Sequence, residues 1–130
     1  MEDSVSITRY PTNWPVRFLC DCKKKGRPIT IRDGVARDIS ANGLRILSDH
    51  HICGGKKVAV QLMVPPLLNG GEPEVVNLVG HSLMTVVHEG DFLTELEFFQ
   101  FEGAGRQVLQ HHLKRRFDNH FFFTQLSRFA

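Results

Sequence analysis

The chain of 130 residues has only three cysteines, an odd number with no repeated spacing, so a secreted disulfide framework explains it poorly. No apolar run is long enough to span a bilayer, and the start, Met1-Glu2-Asp3-Ser4-Val5-Ser6, lacks the basic residues and apolar core of a secretory signal. A cytoplasmic, soluble protein with reduced thiols is expected. Positive charge is missing from 58–105, which carries seven acids, whereas 1–57 has eleven Lys or Arg against six acids and 106–130 has five against one. An anionic ligand therefore belongs near the ends of the sequence. The net charge of +2 is too small for wholesale nucleic-acid or membrane binding. No G-x-S-x-G, Walker loop or kinase motif is present, so no catalytic residue is assigned and no enzyme is expected.

What is present is a hydrophobic fraction of 42% and a charged fraction of 23%, the balance of one folded domain. Val16-Arg17-Phe18-Leu19-Cys20 alternates as a strand does, and Lys23-Lys24-Lys25-Gly26-Arg27 reads as a solvated turn. Further strands are predicted at Val35–Ser40, Leu44–Leu47, Val58–Val64, Val75–Val87 with a bulge at Gly80, and Phe92–Phe98. Asp33-Gly34 signals a turn or a bulge, Asn42-Gly43 and Glu89-Gly90-Asp91 supply turns, and the prolines of 65–73 mark an exposed loop. Short strands with frequent turns suggest a small barrel, because closure removes exposed edges. After Gly105, Leu109, Leu113, Phe117 and Phe121 fall four apart, the spacing of one helical face.

Five of the ten phenylalanines lie in the last fourteen residues, more than one helix face holds. Either Leu109, Leu113 and Phe117 close the barrel and Phe121, Phe122 and Phe123 fold back over its end, or Phe117, Phe121, Phe122 and Phe123 contact a protein partner or a sister chain. Metal binding is not expected: Cys20-Asp21-Cys22 and His50-His51-Ile52-Cys53 lack the spacing of a structural zinc site, and His111-His112 point apart as solvated histidines. The basic cluster near Lys23 has only Phe18 as a neighbouring aromatic, too little for a single-strand nucleic-acid platform.

Arg9-Tyr10-Pro11, the strand at Val16-Arg17-Phe18 and Asp38-Ile39-Ser40-Ala41-Asn42-Gly43 together resemble the PilZ-domain family, bacterial receptors for cyclic di-GMP, over about residues 5 to 117. The family has an RxxxR motif on a flexible N-terminal segment and a D/N-x-S-x-x-G motif on its barrel. The second motif is complete here; in the first, Arg9 matches the second arginine and Val5 stands at the other. The resemblance implies a mainly β fold, a small antiparallel six-stranded split barrel with a C-terminal helix. It divides the chain into a flexible segment (1–14), the barrel (15–102) and the helix with its Phe-rich tail (103–130).

It also implies cyclic di-GMP as a regulatory ligand, with no other cofactor, held by Arg9, Asp38, Ser40 and Gly43. Arg17, Arg37 and Arg45 are auxiliary candidates from the barrel. Arginine suits guanine O6 and N7 or a phosphate, and Asp38 suits the donors of the guanine Watson–Crick edge. Val5 removes one charge whose hydrogen bonds are worth about 1.5–3 kcal/mol each, a tenfold to hundredfold loss of affinity. Two readings follow: a sensor that relays the ligand to a partner, or an adaptor without ligand that acts through its helix in pilus, motility or polysaccharide control.

Overall fold

The computed structural model describes residues 8–20 and 30–117. Six strands, β1 (Tyr10–Cys20), β2 (Arg32–Ile39), β3 (Gly43–Ser48), β4 (Lys57–Val64), β5 (Glu74–His88) and β6 (Asp91–Phe101), precede one helix, α1 (Gly105–Arg116). Every neighbouring pair is antiparallel, and the sheet closes in the order β1-β2-β3-β6-β5-β4, with β4 returning to β1. The expected six-stranded barrel with a C-terminal helix is therefore observed. No helix among the described residues is long and apolar enough to cross a membrane.

Alternation sets what the barrel encloses. Val58, Val60, Leu62 and Val64 occupy every second position of β4 and are buried, as are Leu44 and Ile46 of β3 and Val76 and Leu78 of β5. Glu89 and Gly90 take φ of 50° and 87°, the two left-handed residues of a tight hairpin turn between β5 and β6. The expected irregularity at Gly80 is real: the β5–β6 register slips between Val79 and Gly80.

Three expectations are corrected. β1 begins at Tyr10 rather than Val16, because the register slips between Pro11 and Trp14 and Asn13 has a φ of 51°, which hides the alternation although Tyr10 and Trp14 are both buried. Asp33 and Gly34 form neither a turn nor a bulge: they lie within β2, paired in register with Arg17 and Val16, and Phe18, on the same face as Val16, is a core residue, 1% exposed. His112 is not solvated either: it is buried beneath α1, with Nε2 at 2.9 Å from Glu74 Oε1.

Helix α1 covers the end of the barrel where β1 and β5 begin and β4 ends. Leu109 and Leu113 join the core, each contributing on the order of 2 kcal/mol of burial. Arg116 lies over the Trp14 ring and donates to the Pro65 carbonyl, and the Phe117 ring stacks at 5.2 Å on Tyr10. Val5, Cys22, Lys23 to Arg27 and Phe121 to Phe123 lie outside the described residues.

Candidate functional site

A bulge creates the site. Ala36 and Ile39 are both in the core, and the β2–β3 register slips between Ala36 and Asp38. Two residues thus separate the inward positions, so Arg37 and Asp38 both fall on the outer side. From Asp38 a row of paired residues runs across four strands: Pro11 opposite Asp38, Asp38 opposite Arg45, Arg45 opposite Glu95.

Arg45 Nε donates to Asp38 Oδ1 at 2.9 Å and Oδ2 at 3.0 Å, and its Nη2 also donates to Oδ2. The bond to Asp38 raises the Arg45 pKa above its ordinary value, against the opposing effect of burial. Arg9 arrives from the residue before β1, which the Tyr10–Ile39 and Pro11–Asp38 pairs hold beside β2. Its Nη1 lies 3.6 Å from Asp38 Oδ1, and its Nη2 donates to Glu95 Oε2 at 3.3 Å. Asp38, with a side chain only 11% exposed, is the centre on which both arginines converge.

Ser40 and Gly43 shape the turn beside this row. Ser40 N–H donates to the Gly43 carbonyl at 2.8 Å, while the amides of Asn42 and Gly43 donate to Ser40 Oγ at 3.3 and 3.2 Å. A side chain at Gly43 has no room: a Cβ would stand 2.0 Å from the Leu96 carbonyl oxygen. The Ser40 hydroxyl is thus engaged by its own turn, and a ligand would have to compete for it.

Of the auxiliary arginines, Arg45 is in the cluster and Arg37 is next to it, with no ion pair among the described residues. Arg17 is not brought in; it pairs with Asp33 at 3.4 Å, about 17 Å from Asp38 at the rise of a strand. Two open clefts, of about 650 and 740 Å³, both border Arg17, and Asp38 lines neither. The cluster is a surface. Glu95 is the member of the cluster that no sequence motif singles out. The signal was available: seven acids without a cation in 58–105 need partners from elsewhere in the chain.

Phe117 is half-buried against Tyr10, the residue that follows Arg9, so the end of α1 and the arginine cluster meet through adjacent residues of β1 and its approach. Among the described residues no group of three or more His, Cys, Asp or Glu is placed to hold a metal ion.

No family model and no curated protein matches the chain. Among solved structures it is similar to the Bacillus subtilis inhibitor of motility MotI/DgrA, with a TM-score of 0.65 and 13% identity over 88% of this chain and 52% of that one. The chain spans about half the length of that protein. At this identity the likeness is one of fold, and it supports a PilZ-like fold here.

Proposed function

We propose that the chain is a PilZ-like signalling domain that binds cyclic di-GMP around Arg9 and Asp38 and passes the event to a protein partner, with no catalysis and no resident cofactor. The observation that carries this reading is the convergence of Arg9 on Asp38, at 3.6 Å, from distant parts of the sequence. In the bound state Asp38 accepts from guanine N1–H and the 2-amino group, and Arg9 turns to guanine O6 and N7 or to phosphate. Arg37, unpaired among the described residues, adds a cation for the dianion. Ser40 and Gly43 hold the turn. Because Tyr10 packs on Phe117, movement of Arg9 reaches α1.

One observation favours the second reading, an adaptor that keeps the fold without the ligand. Arg9 and Arg45 already face Asp38 and Glu95, two cations against two carboxylates, so the cluster is satisfied as it stands. In that case Phe117, with Phe121, Phe122 and Phe123, contacts a partner or a sister chain. Motility control, the role named for the Bacillus subtilis protein, is the first process to test.

Calorimetric titration with cyclic di-GMP decides between them. The sensor reading expects saturable micromolar binding that is lost in Asp38→Ala and Arg9→Ala and gains tenfold or more in Val5→Arg. Binding only in Val5→Arg identifies a scaffold that lost its ligand at that position. Silence from every form favours the adaptor.

A further inference from the structure

β5 outruns its neighbour. Its pairing with β4 ends at Lys57 opposite His81, and the loop leading into β4 follows the same edge past Ser82 to Leu83, whose carbonyl lies against Gly54. There Gly55 N–H donates to the Ser82 carbonyl at 2.7 Å, and Ser82 N–H donates to the Lys56 carbonyl at 2.8 Å. From Met84 to His88 the main chain pairs with β6 alone among the described residues, while the Thr85 hydroxyl donates to the Ile52 carbonyl of the loop at 2.7 Å. Such an edge is a row of main-chain donors and acceptors ready to take another strand.

Protein edges are usually blunted by Lys, by Pro or by a charge, and Met84-Thr85-Val86-Val87-His88 has none of Lys, Arg, Asp, Glu or Pro. Its apolar side chains stand in solvent: Val87 is 73% exposed and Met84 61%, with Leu83 and Val86 about half exposed. Charge is confined to the two ends. Lys56 flanks Ser82 at one, and Glu89, in the β5–β6 turn with its side chain 88% exposed, stands at the other with Asp91.

A strip that is apolar in the middle, basic at one end and acidic at the other complements itself only when reversed. We propose that Met84–His88 is a self-association edge, on which β5 of a second copy of this chain adds antiparallel across a two-fold axis. With Val86 on the axis, Met84 faces His88 of the second copy. Glu89 of the second copy then ends beside the loop that lies against Leu83, within reach of exposed Lys56, and symmetry repeats the contact. Main-chain bonds and buried Met84, Val86 and Val87 supply the affinity, while the terminal charges set direction. Met84 also pairs with Glu95 in the β5–β6 ladder, so the edge continues the row through Asp38 and Arg45.

Sedimentation equilibrium of the full chain up to about 0.1 mM tests this. The expected result is a concentration-dependent rise from one chain to two. Val87→Lys abolishes the rise, Lys56→Glu weakens association about tenfold, and Glu89→Lys added to Lys56→Glu restores it. Hydrogen exchange of the native chain supplies the readout that needs no variant: amides within Met84–His88 gain protection as concentration rises. A monomer at every concentration, a dimer indifferent to Val87→Lys, or protection gained elsewhere overturns the proposal.

Discussion

Arg45 holds Asp38 with Nε bonded to both carboxylate oxygens, across β3 and β2 at a bulge that turns Asp38 outward. The carboxylate is nearly covered while the guanidinium is one-third exposed, so removing the acid leaves a cation that water reaches only in part. Asp38→Ala is expected to cost about 1–3 kcal/mol in urea unfolding, with Arg45→Ala similar and the double variant clearly less than additive. Strict additivity would mean that the two residues do not act as a pair.

At Gly43 the constraint is backbone against backbone. β3 approaches β6 so closely that a Cβ would overlap the Leu96 carbonyl, which no side-chain rearrangement relieves. Gly43→Ala is expected to destabilise by about 3 kcal/mol or more and to expose the β3–β6 amides to exchange. Its neighbour Ala41 is exposed, and Ala41→Ser should be near neutral. Equal stability of Gly43→Ala and the native chain would refute the close approach.

The barrel was legible because alternation is local: Val58 to Val64 states its own inward face, and Leu109 with Leu113 states that of α1. What local pattern did not reveal is register. Asp38 through Gly43 could be read as a motif, but that Asp38 would meet Arg45 depends on one extra residue in β2, and that Arg9 would meet Glu95 depends on strand order. The start of β1 was hidden for a related reason, since Pro11, Asn13 and Pro15 interrupt the very alternation by which strands are recognised. His112 was misread because a histidine beside another on a helix looks solvated until Glu74, from the start of β5, is brought against it.

Tyr10 and Phe117 join the approach of Arg9 to the end of α1, with ring centroids 5.2 Å apart. A double-mutant cycle over Tyr10→Ala and Phe117→Ala is expected to give a coupling of about 0.5–1.5 kcal/mol in thermal or urea unfolding. Under the sensor reading, Phe117→Ala also weakens the response of α1 to cyclic di-GMP while leaving the Asp38–Arg45 pair intact. A coupling near zero would show that the rings are neighbours without being partners.

His50 gives the protein an acid-sensitive element. Burial pushes its imidazole pKa below the ordinary 6.5, Arg32 and His51 push the same way, and Asp49 opposes them. Its ring lies 6.3 Å from core residue Phe18. At about pH 7.5 the group is neutral in both folded and unfolded chains, so it contributes no pH dependence there. As pH falls through 6.5 the unfolded chain binds a proton that the folded one refuses, so stability drops, and the drop levels off once pH is below the folded pKa. The urea midpoint is therefore expected to be lower at about pH 5.5 than at about pH 7.5, and His50→Gln should narrow that gap. Proton NMR supplies the direct check: an imidazole of His50 that titrates at or above 6.5 in the folded protein would remove the cause, whatever the midpoints did.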